Sequence, residues 1–223
     1  MVTITKDVRE QRWTPSFAEP DVELRQSPLF QATQKLLPLI EGLCNIADPG
    51  LWGHSLRVGK MASKVGEVLG LGVDHVERLE VAGYLHDLGK IVAGGCPAPA
   101  GQTGPDRHGL LGARAIGHIP QLSEVGPAIL FHHELWDGSG SPAGLARDAI
   151  PLDARILAVV DRFDTMIAGA AGAETSRVNA GLEFLKGGSG KQFDRDVVAA
   201  FRQACSDMTV KTLFGRPSIS LHP

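Results

Sequence analysis

The sequence is short of thiols, aromatics, surplus positive charge and long apolar runs, and each shortage removes a class of function. Its three cysteines, Cys44, Cys96 and Cys205, are far apart and odd in number. They form neither a disulfide framework nor a zinc-finger spacing, so reduced, structural cysteines of a cytoplasmic protein are expected. Aromatic residues make up 5% of the chain, so the core must rest on Leu, Val, Ile and Ala. The formal charge is -3 with histidine neutral, which argues against a general nucleic-acid-binding surface. A small anionic substrate is still admissible, because bound metal ions supply local positive charge that composition does not show. No apolar run approaches the ~20 residues of a membrane-spanning helix. The first ten residues, MVTITKDVRE, lack the apolar core of a signal peptide.

What is present is a 223-residue chain, 43% hydrophobic, long enough for one compact domain with short extensions. Residues 1–28, broken by Pro15 and Pro20, read as an N-terminal extension. Residues 29–207 read as the domain, and residues 208–223 as a C-terminal tail. Helical periodicity covers about 28–46 and 51–69, where Val58, Met61, Ala62, Val65, Val68 and Leu69 share a stripe. After Gly70-Leu71-Gly72, Asp74 is placed to cap a helix that carries Val76, Leu79, Ala82, Gly83 and His86. The Gly- and Pro-rich stretch Val92–Asp106 reads as a loop. Helical pattern resumes at about 107–117 and 121–133. A second long loop, WDGSGSPAGLARDAIP, has turns at Asp137-Gly138 and at Gly140–Pro142. Pro151 suits a first helical turn, and helices are expected over 152–168, 175–186 and 195–205, the last capped by Asp194. No strand ladder or internal repeat is visible, so the fold class is all-α.

The chemistry is concentrated in histidine and aspartate. Of 8 histidines, all but His222 fall between His54 and His133. His86 continues an apolar stripe and is followed by Asp87, with Lys90 one turn on. A lone buried histidine is commonly a hydrogen-bonded core residue, and an adjacent histidine pair such as His132-His133 commonly sits on a surface. The stripe Leu157, Val160, Asp161, Asp164, Ile167 is harder to dismiss. Two carboxylates on an apolar face need partners, since an unpaired buried charge is very costly. Salt bridges with Arg57 and Arg155 are one reading for the two carboxylates, Asp164 above all; the histidines elsewhere, or a metal, are the other, Asp161 above all. Neighbouring helical residues point about 100° apart, so His132 and His133 could serve two ions, or one ion and a supporting contact.

Taken together, the imidazoles and carboxylates exceed one four-coordinate site and fit a pair of ions. Their N and O donors, without thiolate, suit Fe or Mn, and also accept Zn. Two ions ~3.5–4 Å apart can polarise a phosphoryl oxygen and activate water. Asp87, beside His86, is the expected bridging carboxylate. Lys90 is the expected point charge on a phosphate oxygen.

The motifs His54-Ser55-Leu56-Arg57-Val58, His86-Asp87-Leu88-Gly89-Lys90, His108, His132-His133-Glu134-Leu135-Trp136-Asp137-Gly138 and Asp161-Arg162-Phe163-Asp164 together resemble the HD-GYP branch of the HD superfamily. The similarity continues at Ile150-Pro151-Leu152, Ala154-Arg155-Ile156-Leu157 and Gly190 to Phe201, covering roughly residues 50 to 205. The resemblance implies a helical bundle around a two- or three-metal centre and hydrolysis of cyclic di-GMP. It implies His54, His86, Asp87, His108, His132, His133 and Asp161 as metal ligands, with catalytic roles for Asp87 and Lys90. Lys90, Asp137 and Gly138 are the expected substrate contacts. A diguanylate-cyclase-type partner is a further implication of the signature loop.

The sequence also departs from the pattern. The Gly-Tyr-Pro signature is Gly140-Ser141-Pro142. The segment between Lys90 and His108 is short and lacks the usual basic lid. Residues 166–172, MIAGAAG, replace an Arg-Pro-Tyr-Arg segment that helps grip substrate, and no arginine follows until Arg177. Gly50 stands where members with a third ion carry Glu, so two ions are expected. The activity expected is a metal-dependent phosphodiesterase on cyclic di-GMP or a related cyclic dinucleotide. The alternatives are hydrolysis of another nucleotide phosphoester, or a signalling module without turnover.

Overall fold

The computed structural model describes residues 27–93 and 107–207. The Val92–Asp106 loop lies almost wholly outside them, as do Cys96, most of the N-terminal extension and the tail. The described chain is a helical bundle: α1 (Pro28–Ala47), α2 (Leu51–Val68), α3 (Val73–Leu85), α4 (Gly89–Ala93), α5 (Arg107–Ile116), α6 (Gly126–Phe131), α7 (Leu152–Gly169), α8 (Glu174–Gly188) and α9 (Arg195–Asp207). Among the described residues the only strand-like pairing is an isolated bridge between Ser189 and Phe193. No described helix is long and apolar enough to cross a membrane.

Helix α2 is the spine, packed against α1, α3, α7 and α9. Its stripe Leu51, Leu56, Val58, Met61, Ala62 and Val65 is buried, as the periodicity requires. Helix α7 packs against α2, α8 and α9 and buries Ile156, Val160, Phe163 and Ile167; Phe163 meets Phe201 of α9 edge-on at 4.8 Å. The α2–α3 crossing is unusually close. A methyl group placed on Gly83 would lie 2.4 Å from the Gly59 Cα, so the two backbones touch where only glycine fits. Tyr84 and Trp52 fill the space beside that contact, with ring centroids 6.3 Å apart.

Three expectations are corrected. Asp74 does not cap α3: Gly72 occupies that position in an extended conformation, and Asp74 sits in the first turn, where its charge favours the helix dipole. The span 121–133 is not one helix. A 3-10 turn, Pro120–Val125, leads into the short α6. Pro127 has no N–H to continue a helical ladder, so the chain restarts there, and His132 and His133 follow the end of α6. Arg155 does not pair with Asp164. The two are nine residues apart, which at about 100° per residue puts them half a turn out of phase. Arg155 instead bonds Asp194 at 2.7 Å and Asp148 at 3.1 Å. Asp194 does cap α9, its Oδ1 accepting the Asp196 N–H at 2.8 Å.

Candidate metal centre

Five elements converge to bring all seven expected ligands into one cluster. His54 comes from α2, His86 and Asp87 from the end of α3, His108 from the first turn of α5, His132 and His133 from the turn after α6, and Asp161 from α7. Local packing sets their approach. Helix α4 meets α5 so closely that a Cβ on Gly89 would lie 2.0 Å from the His108 carbonyl oxygen. That contact lays His108 beside Asp87.

The donors fall into two halves. His54, His86 and Asp87 offer ligand atoms within 4.8 Å of one another, and so do His108, His132 and His133. Asp161 joins the first half, its Oδ1 lying 3.1 Å from His54 Nε2 and 3.8 Å from His86 Nε2. Asp87 stands between them. Its Oδ2 lies 3.5 Å from His54 Nε2 and 3.4 Å from His86 Nε2, and its Oδ1 lies 3.1 Å from His108 Nε2. One carboxylate thus turns one oxygen to each half.

The imidazoles are held ligand-side inward. His86 Nδ1 donates to the Gly83 carbonyl at 2.8 Å, and His132 Nδ1 to the Ile129 carbonyl at 2.7 Å. With those protons committed, both rings turn Nε2 lone pairs toward other imidazole nitrogens. His86 Nε2 is 3.3 Å from His54 Nε2, and His132 Nε2 is 3.3 Å from His108 Nε2. Converging lone pairs beside carboxylates are what a cation requires, and the donor set fits divalent ions.

The electrostatics agree. Burial pushes the Asp87 carboxyl up, but the His86 charge, hydrogen bonds with His108 and His54, and Lys90 hold it far below the ordinary range. Asp161 is likewise held down: burial is outweighed by hydrogen bonds and charge from His54 and His86. Burial lowers His54, yet hydrogen bonds to Asp161, Asp164 and Asp87 raise it to about 11. His132 is driven well down by burial and the neighbouring His133 and His86. Strongly opposed shifts of this kind gather where proteins bind ions or do chemistry.

The remaining expected residues lie around this centre. Lys90 Nζ pairs with Asp87 Oδ2 at 2.5 Å, and its side chain is half exposed. Asp137 is exposed and holds a turn, its Oδ1 accepting the Ser139 N–H at 3.0 Å and the Ser139 hydroxyl at 2.6 Å. Gly138 has φ +85°. Gly50 is one turn before His54 and offers no side chain.

Arg57 pairs with Asp164, one of the expected partnerships; the bond behind His54 and the role of Glu134 were not assigned from the sequence. His54 Nδ1 bonds Asp164 Oδ2 at 2.8 Å, and Arg57 grips that carboxylate with Nε at 2.7 Å and Nη2 at 2.8 Å. The signal was there: Arg57 follows His54 by three residues, as Asp164 follows Asp161. Glu134, also buried, accepts the Ala143 N–H at 2.6 Å and the Leu145 N–H at 3.0 Å. Together with a 3.2 Å bond from Ser141 N–H to the His133 carbonyl, it moors the variant Gly-Ser-Pro loop to the ligand-bearing turn.

Comparison with known proteins agrees with this architecture. The HD domain family matches residues 38–197. A cyclic di-GMP phosphodiesterase response regulator, RpfG, of Xanthomonas campestris is 35% identical over 188 residues, covering 77% of this chain and 49% of the relative. A cyclic di-GMP phosphodiesterase of Thermotoga maritima is 29% identical, covering 78% of this chain and 50% of the relative. The chain therefore spans about half the length of these curated relatives. Among solved structures, a cyclic GMP-AMP phosphodiesterase from Vibrio cholerae superposes with a TM-score of 0.61 at 19% identity, over 84% of this chain and 55% of that one. An HDG"Y"P protein from Bdellovibrio bacteriovorus gives 0.58 at 16% identity, over 79% of this chain and 62% of that one. With the family match spanning most of the chain, and the expected histidines and aspartates gathered in a single cluster, the chain belongs to the HD domain family.

Proposed function

We propose that this chain is a two-metal phosphodiesterase acting on cyclic di-GMP or a related cyclic dinucleotide. The observation that carries the reading is the two-sided placement of Asp87, with one oxygen toward the His54 half and the other toward the His108 half. His54, His86, Asp161 and Asp87 would hold one ion; His108, His132, His133 and Asp87 the other. Fe or Mn suits these donors, and Zn is accepted by them. When bound, a pair of divalent ions supplies a water acidified toward neutral pH and polarises a phosphoryl oxygen.

The chain's own groups do the rest. Asp87 neutralises part of the positive charge and fixes the spacing of the two halves. Lys90, at the exposed edge of the centre, balances negative charge on a phosphoryl oxygen. Its present partner, Asp87 Oδ2, is the oxygen a metal would claim, and that frees the ammonium for substrate. Asp137 and Gly138 enter as substrate contacts through the loop that Glu134 and Ser141 moor beside His133.

The substrate is tested by purifying the protein without oxygen, measuring its iron, manganese and zinc, and incubating that sample with cyclic di-GMP. A linear dinucleotide or GMP is expected by chromatography. Absence of both products from fully metallated protein would sink the cyclic di-GMP assignment. One observation favours another phosphoester as the better substrate. Arg177, the first arginine after the missing grip segment, turns its Nη1 back to the Ile167 carbonyl at 3.0 Å, at the end of α7. A panel of linear dinucleotides and nucleotide monoesters then shows faster turnover than cyclic di-GMP.

A further inference from the structure

The two halves of the centre are not equivalent, and Arg57 and Asp164 are the reason we infer that the His54 half fills with metal first. This inference rests on the metal-centre reading above.

The donor sets differ in charge. Beyond the shared Asp87, the His54 half has Asp161 and two imidazoles, whereas the other half has three imidazoles. A carboxylate attracts a divalent cation far more than a neutral ring does.

The groups behind the imidazoles differ as well. His86 and His132 each lean on a peptide carbonyl. His54 leans on a carboxylate, Asp164, which is fully buried. Both Asp164 oxygens are used: Oδ1 accepts from Arg57 Nε, and Oδ2 accepts from Arg57 Nη2 and faces His54 Nδ1. The fork of the guanidinium fixes the carboxylate plane, and the carboxylate fixes the ring and makes Nε2 a stronger donor. The geometry is built from two helices in register. On α2, His54 and Arg57 are three residues apart; on α7, so are Asp161 and Asp164. Asp161 meets the donor nitrogen of His54 while Asp164 holds the opposite one, so α7 grips the ring at both ends. Asp164 is thus a positioning residue for His54, and Arg57 positions Asp164.

The test is titration of the metal-free 223-residue chain with Mn2+, following free Mn2+ by electron paramagnetic resonance. Wild type is expected to bind two ions in two resolved steps. His133→Ala should lose the weaker step and keep the tighter one. Asp164→Asn should weaken the tighter step by about 10- to 100-fold, as loss of a ligand-orienting carboxylate does, and leave the weaker step within twofold. Arg57→Lys keeps the charge without the fork and guards against a misfolded Asp164 variant. It should weaken the same step by a smaller factor. Two-step binding that Asp164→Asn and Arg57→Lys leave unchanged overturns this proposal alone. Loss of the tighter step in His133→Ala also overturns it. Wild-type protein that binds no Mn2+ overturns the metal-centre reading itself.

Discussion

Replacing Asp87 by Asn is the sharpest perturbation of the centre, because it keeps the side chain's shape and removes its charge. Asp87 is 1% exposed and touches both halves, at 3.5 and 3.4 Å on one oxygen and 3.1 Å on the other. At an effective dielectric constant of about 20, one unit charge 4 Å from another is worth about 4 kcal/mol. Applied as a lower bound to each divalent ion, that loss corresponds to about a thousandfold in affinity, at about 1.4 kcal/mol per tenfold. A variant of an ordinary ligand weakens one ion; Asp87→Asn must weaken both. Calorimetric titration with Mn2+ and elemental analysis after gel filtration should show stoichiometry falling from two toward zero, and phosphodiester turnover falling with it. Retention of two ions by a folded Asp87→Asn protein would refute the bridging role. Retention of one would mean that the halves are held independently.

Proton linkage gives a second prediction. In the metal-free protein His54 is raised to about 11 from 6.5, so its contribution to stability is complete below pH 6.5 and is lost as pH rises toward 11. Asp161 and Asp164 are lowered from 3.8, so their contribution is present above about pH 4 and is lost as pH falls further. Melting temperature of chelator-treated protein should therefore be highest between about pH 4 and 6.5, with an alkaline decline that His54→Asn diminishes; an unchanged slope in that variant refutes the assignment. Metal uptake near pH 8 should release protons, visible as a dependence of the binding enthalpy on the buffer's ionisation enthalpy. Glu134→Ala strands the Ala143 and Leu145 N–H groups, at about 1.5–3 kcal/mol for each charge-assisted bond. Turnover should fall while metal content stays at wild-type levels; loss of metal would show that Glu134 supports the ligands rather than the loop.

Much of this centre was legible because its residues violate local patterns. His86, Asp161 and Asp164 sit on apolar stripes where nothing but a partner or an ion justifies them, and the longer described helices, α2 and α7 among them, follow ordinary periodicity. The break at Pro127 was equally readable, but the flanking Leu122, Val125 and Ile129 hide it by keeping one apolar face across two helical segments. The choice of Arg57 over Arg155 as partner of Asp164 depended on helical phase, which spacing alone would have settled. The two-sided role of Asp87 has different origins. Adjacency to His86 suggests a bridge, yet only the α4–α5 contact at Gly89 decides that His108 reaches the other oxygen. The ring orientations are further still from the sequence, since they are set by the carbonyls of Gly83 and Ile129, which any residue would carry.

The backbone contact between Gly59 and Gly83 has a consequence for how this site can vary. His54 stands five residues before Gly59, and His86 three after Gly83, whose carbonyl also orients it. The crossing therefore works as a caliper: its closest approach sets the gap between two imidazoles on different helices. A single added methyl at either glycine wedges the jaws apart and widens a site that neither residue touches. In a saturation mutational scan read out by catalysis, these two chemically blank positions should be as intolerant as the ligands, and no second-site change of a ligand side chain should restore them, because the lost dimension belongs to the main chain.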